Sequence, residues 1–196
     1  MPRISASEQA ATRRRLIEAG KAEFAERGLA GARFDEISRS AGHAKGTIYN
    51  YFDSKESLFF TIVEEWCGLL AAGFDPDAST SARSQLLQIA ALDVSIARKD
   101  PDLARVVIQQ MPALADRHSE AVSAAISNGL DLLATVIGSG LKSGELHSDL
   151  PPASLARLFL SSLSAVELET FAPDSPITLD DVVPLVDRHF LNGLLA

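Results

Sequence analysis

A single cysteine, Cys67, in 196 residues leaves no partner for an internal disulfide and excludes a cysteine-built metal cluster, which fits a reducing compartment. Long hydrophobic runs are also lacking. The longest, around Leu130 to Ile137, is broken by Asp131 and Thr135 and falls short of the roughly 20 apolar residues of a membrane span. Residues 1–15 are polar and arginine-rich with no apolar segment behind them, so neither a signal peptide nor a membrane location is expected, and the cytoplasm is. Aromatics make up only 6% of a chain rich in alanine and leucine, a balance that favours helices. No run alternates with strand period.

Several chemistries drop out with these absences. His118, His147 and His189 are far apart and show no paired metal-ligand spacing, so no metal is expected. The stretch AKGTIYNYF, residues 44–52, puts Lys45 before Gly46 and lacks the bracketing glycines and leading strand of a nucleotide-binding loop. Gly138, Gly140 and Gly144 fit neither a dinucleotide fingerprint nor a nucleophile elbow, and they read as small residues for close packing or a kink within a helix. Acid pairs such as Glu64 with Glu65 and Asp180 with Asp181 are adjacent, so on a helix they diverge. The expectation is a protein that is not an enzyme and needs no cofactor.

The net charge of −8 argues by itself against a nucleic-acid partner. The charge is unevenly spread. Residues 1–60 hold ten basic against eight acidic residues, and the remainder eight against eighteen. Between Ile37 and Phe52 stand Arg39 and Lys45 and no acid, a window through which a phosphate can approach.

Helical periodicity organises the chain. Residues 8–27 place Leu16, Ile17, Gly20, Phe24 and Ala25 on one side, with Gly28 as a stop. A short helix over 34–41 is broken by Gly42. A third runs over 44–51, and Asp53 or Ser54 caps a fourth, with Asp53 and Glu56 placed as a capping box. Its apolar face, from Leu58 through Trp66 to Leu70, predicts deep burial up to about Gly73. Residues 74–81 read as a linker. Further helices are expected over 82–99, 101–111, 116–142, 152–171 and 178–195, with Pro184 as a kink or late start. The fold class is all-α, with about nine helices.

Helix, glycine-containing turn and short helix between Phe34 and Phe52 is the layout of a helix-turn-helix, whose second helix enters the major groove. At about 100° per residue, Ile48 and Phe52 pack inward together. Gly46, Thr47 and Asn50 then point outward, flanked by Lys45 and Tyr49 on one side and Tyr51 on the other. Asparagine can bond adenine in a bidentate way, a threonine methyl can touch a thymine methyl, and lysine and tyrosine reach phosphates. Gly46 removes a side chain where backbone must come close to the duplex. Arg13 to Arg15 suit either an exposed helix start or a phosphate contact. A plain helical corner with solvated charges is the bland alternative, and it leaves these residue types without a shared purpose.

FAERG at 24–28, Ala41-Gly42, KGTIYNYF at 45–52 and SKESLF at 54–59 together resemble the signature of the tetracycline-repressor (TetR) family of bacterial transcription regulators, in order and spacing. The resemblance is specific over about residues 10–60 and architectural beyond. It implies a sequence-specific regulator, a repressor of a double-stranded DNA operator, in which Lys45, Thr47, Tyr49, Asn50 and Tyr51 meet DNA and Lys55 holds a phosphate at the start of the fourth helix. It also implies a homodimer and a C-terminal pocket whose small-molecule ligand relieves repression. The chain departs from the family pattern at Arg33, which cannot cap the second helix but can reach a phosphate. It departs again at Ala44 and His43, in the turn before the third helix; His43 is either near DNA or an ordinary turn histidine.

Two domains are therefore expected: a three-helix DNA-binding domain over 8–54, its motif at about 33–52, and a helical effector-binding and dimerisation bundle over 55–196. Trp66, Cys67, Met111 and Phe159 read first as core, and are also the candidates for lining a pocket that takes a small apolar molecule. Leu155, Phe159, Ser162, Leu163 and Val166, with Val182 and Val186 in the next helix, are the candidate dimer face. The rival from another class is a helical ligand-binding or adaptor protein that keeps the helix-turn-helix only as scaffold.

Overall fold

The computed structural model describes residues 5–77, 79–110 and 120–194. Among these the chain forms eight α-helices and two 3₁₀ turns and no strand. The helices are α1 (Ala6–Gly31), α2 (Phe34–Ser40), α3 (Lys55–Gly73), α4 (Ala82–Lys99), α5 (Pro101–Gln110), α6 (Glu120–Ser143), α7 (Pro152–Thr170) and α8 (Leu179–His189). Thr47–Asn50 and Leu191–Gly193 are the 3₁₀ turns.

Local chemistry explains most boundaries. Ser5 and Glu8 form a reciprocal capping box that starts α1. At Gly28 the backbone leaves helical geometry (φ 66°), where the sequence expects a stop, and one further turn carries α1 to Gly31. The box at the start of α3 is one residue later than expected: Ser54 and Ser57 cap each other, in place of Asp53 and Glu56. Proline opens α5 and α7 in its usual first-turn position. Pro184 stays inside α8. At the start of α4 the Glu145 carboxylate accepts from the N–H groups of Ala82 (2.8 Å) and Arg83 (3.0 Å), while the Arg83 guanidinium grips Asp187 through two bonds of 3.0 and 2.7 Å. These tie α4 to the end of α6 and to α8. Gly140 permits that approach, since a Cβ there would stand 2.6 Å from the Ala82 Cβ.

Two apolar cores result. The first joins Leu16 and Phe24 of α1, Phe34 and Ile37 of α2, Ile48 and Phe52 of the recognition segment, and Leu58 to Trp66 of α3. It continues into Ile96 of α4 and Leu103 to Ile108 of α5. Phe24 and Phe59 meet edge to face there, 6.2 Å between centroids. The second core packs α4, α6, α7 and α8 around Leu86, Ile137, Phe159 and Val186. The first core thus runs past residue 54, and α3 and α5 both hold the helix-turn-helix in place.

Candidate nucleic-acid interface and bundle interior

The turn after α2 fixes the recognition segment. Gly42 adopts φ 80°, a conformation that side chains with a Cβ rarely take, and this lets the His43 N–H reach the Ser38 carbonyl and the Gly42 N–H that of Arg39. The buried Ser38 hydroxyl then donates to the Ala44 carbonyl at 2.6 Å. No side chain caps the segment that follows. Ala44 has no oxygen to offer, and the sequence expectation of an α-helix over 44–51 gives way to a 3₁₀ turn over Thr47–Asn50. The Ile48 carbonyl accepts from both Tyr51 (2.9 Å) and Phe52 (3.0 Å), which closes the turn.

Ile48 and Phe52 are buried and anchor this segment. Lys45, Gly46, Tyr49 and Asn50 are exposed, Thr47 is half-buried, and Tyr51 is half-buried against the first core. Tyr49 is 56% exposed although its ring leans edge-on against Phe34, 5.1 Å away. That contact fixes the ring direction while leaving the hydroxyl end outward. Lys45 pairs with Asp35 of α2 at 2.8 Å, an exposed pair of small worth that a phosphate can replace. A Cβ at Gly46 would meet nothing within 4 Å, and its φ of −88° is open to any residue. Among the described residues nothing requires glycine at that position.

Arg33 makes no side-chain cap; its backbone N–H is capped from α1, by Glu23 Oε1 at 3.0 Å, and its own guanidinium is exposed beside Glu36. Arg13 lies over the Phe52 ring at 5.1 Å and so braces the recognition segment from behind. Arg14 and Arg15 line a groove between α1 and α2 with Ala22, Ser40 and Ala41. The reading of Lys55 as a phosphate ligand needs correction. Its ammonium donates to the carbonyls of Leu29 (2.9 Å), Ala30 (3.2 Å) and Ala32 (3.0 Å), so it closes the C-terminal end of α1 and its charge is turned inward.

The candidates in the bundle also sort differently from the sequence reading. Leu155, Phe159, Leu163, Val182 and Val186 are each no more than 2% exposed, packed in the second core of their own chain, and cannot form a face for a partner. Val166 packs partly on the same core, and Ser162 is half-buried. The apolar residues that α7 does present are Leu158 and Leu168, with Ala165 exposed between them. Phe159 meets Phe190 edge-on within the second core. Trp66 is buried in the first core, with Cys67 half-buried beside it, its thiol pushed up by burial. Met111 lies outside the described residues.

Two buried charged clusters were not visible in the sequence. Lys21 of α1, 3% exposed at its side chain, binds Glu18 (3.0 Å), Glu65 of α3 (3.2 Å) and Asp100 between α4 and α5 (2.8 Å). Burial opposes its charge, but the hydrogen bonds it donates to Asp100, Glu18 and Glu65 outweigh that and hold the ammonium well above its ordinary range. The second cluster is acidic. Asp93 of α4 and Glu167 of α7 face each other in the interior, and Trp66 donates its indole N–H to Asp93. Isolated acids on two amphipathic helices look like solvated charges until the helices are placed together.

Comparisons with known proteins agree with this geometry. Residues 16–62 match the family described as bacterial regulatory proteins, tetR family. The chain is similar to the HTH-type transcriptional repressor KstR2 of Rhodococcus jostii, 26% identical over all of this chain and 97% of that protein. In fold it is similar to AibR in complex with isovaleryl coenzyme A and operator DNA, with a TM-score of 0.74 and 18% identity over 91% of this chain and 98% of that one. It is also similar to the ketosteroid regulator KstR2 of Mycobacterium tuberculosis, with a TM-score of 0.72 and 21% identity over 94% and 95% of the two chains. The all-helical fold is shared with these structures, and residues 16–62, which contain the helix-turn-helix, belong to the tetR family of bacterial regulatory proteins.

Proposed function

We propose that this protein is a sequence-specific DNA-binding repressor that acts as a homodimer in the cytoplasm and leaves its operator when a small, largely apolar molecule enters the C-terminal bundle. One observation carries the reading. The recognition segment is anchored by Ile48 and Phe52 yet presents Lys45, Gly46, Tyr49 and Asn50 to the outside, with free space where a Cβ of Gly46 would be. A glycine that the chain itself does not need is accounted for by a surface that comes close from outside, here the sugar-phosphate backbone.

In this reading Asn50 and Thr47 read base edges, and Lys45, Tyr49 and the exposed Arg33 hold phosphates. Tyr51 helps to seat the segment, with its hydroxyl toward the duplex. Arg14 and Arg15 are further phosphate contacts along the groove beside α2. Residues 8–54 carry the contacts with DNA, and residues 55–196 supply effector binding and assembly. The dimer face is the exposed stripe of Leu158, Ala165 and Leu168 on α7. A two-fold dimer calls for a roughly palindromic operator. The relative AibR, described with isovaleryl coenzyme A and operator DNA, supports a ligand-responsive repressor of this shape. The reading assigns the chain no enzymatic role.

Selection of bound duplexes from random DNA tests it. A recovered two-fold consensus bound with strong salt dependence is expected; recovery of no consensus, with equal affinity for every duplex, overturns the reading.

A further inference from the structure

Glu167 is fully buried, and among the described residues no N–H or O–H donor reaches either of its carboxyl oxygens. Its polar neighbour is another acid, Asp93, whose Oδ1 is likewise without a donor while Trp66 donates to the same carboxyl. A contact between two carboxyls becomes a hydrogen bond only if they share one proton, and even then at least one Glu167 oxygen is left without a donor among the described residues. Buried acceptors without donors are costly and uncommon in folded proteins. The pair also sits where the two apolar cores meet. Asp93 lies between Ala90 of the second core and Ile96 of the first, and Glu167 follows Leu163 of the second core while Phe171 packs on the first. A donor arriving at this seam touches α3, α4 and α7 at once.

We propose that Asp93 and Glu167 form the polar anchor of the effector site, and that the ligand class is an apolar molecule carrying a protonated amine. A monocation matches a pair that holds one proton between them, and several N–H donors match the several empty acceptors. A carboxylate ligand brings a third acceptor and a like charge into the same place. Burial, which raises both carboxyls above their ordinary range, adds to this: an ammonium at the seam restores the charge that burial suppresses. The ligand's effect on operator affinity rests on the repressor reading above, whereas its binding and selectivity do not.

Trp66 is the only tryptophan and bonds to Asp93, so its emission reports directly on the site. The full chain is titrated with 4-phenylbutylamine, 4-phenylbutanol and 4-phenylbutyrate, which share one apolar body, with excitation at the red edge of tryptophan absorption. The amine is expected to shift Trp66 emission and to bind at least about tenfold more tightly than the carboxylate, with the alcohol between them. Glu167→Gln and Asp93→Asn keep shape and remove charge, so each is expected to bring the amine to within about threefold of the alcohol, with circular dichroism unchanged. Binding of the carboxylate as tightly as the amine, retention of amine selectivity in both variants, or absence of any response to all three compounds overturns the proposal. The same titrations are followed by operator release. Amine selectivity without release refutes the regulatory reading and leaves the anchor standing; release by the carboxylate alone refutes the anchor and leaves the repressor.

Discussion

The Lys55 ammonium lies 3.0 Å from the Ala32 carbonyl, which joins the first residue of α3 to the chain just as it leaves α1. Together with the Leu29 and Ala30 carbonyls, this contact makes Lys55 a clamp on the angle between the two helices that carry the helix-turn-helix. Lys55→Met keeps the stem and deletes the charge. We expect a loss of about 1–3 kcal/mol in stability by urea denaturation, the usual size for hydrogen bonds to a charged group. The salt dependence of operator binding should stay unchanged. A lower salt slope with unchanged stability would return Lys55 to the phosphate.

Substitutions on the recognition segment should separate base reading from phosphate binding. Asn50→Ala and Thr47→Ala are expected to cost about 1–3 kcal/mol in discrimination between cognate and altered operators. Lys45→Ala and Tyr49→Phe should weaken all sequences together, the lysine change lowering the salt slope by about 0.9. Gly46→Ala is the sharper case, because a Cβ there touches nothing in the free protein. Its melting temperature should match the parent while operator affinity falls; equal affinity would mean that no surface approaches Gly46.

How far the sequence led can be judged from particular residues. Pro101 and Pro152 announce helix starts through rings that act locally, and α5 and α7 begin where they indicate. Ile48 and Phe52 fall on one side of any helical turn, so the inward and outward residues of the recognition segment were legible although its helix type was not. What distinguishes the 3₁₀ turn is a missing cap at Ala44 and a hydrogen bond from Ser38, and the second of these needs the fold. The dimer face went astray for a similar reason. The stripe from Leu155 to Leu163 is apolar, but apolarity does not say whether the partner is α8 of the same chain or a second molecule.

That correction carries its own expectation. Leu158→Glu combined with Leu168→Glu should give a folded monomer by light scattering, since both side chains are exposed in the single chain. Leu155→Ala, by contrast, removes a residue of the second core and should lower stability by about 2–5 kcal/mol. A dimer that persists in the double glutamate variant would place the interface elsewhere.

The acid pair predicts a pH dependence of stability with a definite sign. Burial raises Asp93 to about 7, against the hydrogen bonds from Glu167 and Trp66; burial raises Glu167 to about 9, reinforced by the charge and hydrogen bond of Asp93. The charge of Asp93 also acts on the Cys67 thiol, together with that of Glu64. In the unfolded chain both carboxyls titrate near about 4. Between those limits the folded state holds more protons than the unfolded one, so the contribution is fully present below about pH 4, falls progressively above it, and is gone once pH has risen through about 7 to 9. The slope is at most about 1.4 kcal/mol per pH unit per proton. Denaturation midpoints from pH 5 to 9 should fall for the parent and flatten for Glu167→Gln. A parent profile no steeper than the variant's would contradict a shared proton.

The first core reaches from Leu16 to Ile108, and Lys21 finds one of its acids at Asp100. During synthesis the helix-turn-helix therefore leaves the ribosome long before its core can close. At about 5–20 residues per second, several seconds separate the appearance of Phe52 from that of Ile108. Throughout that interval Phe24, Phe59 and Trp66 have no α5 to pack against, and the ammonium of Lys21 lacks one of its three acids. The nascent chain cannot hold a finished DNA-reading surface until more than half of it has been made, so a truncated product ending before α5 would not compete for the operator.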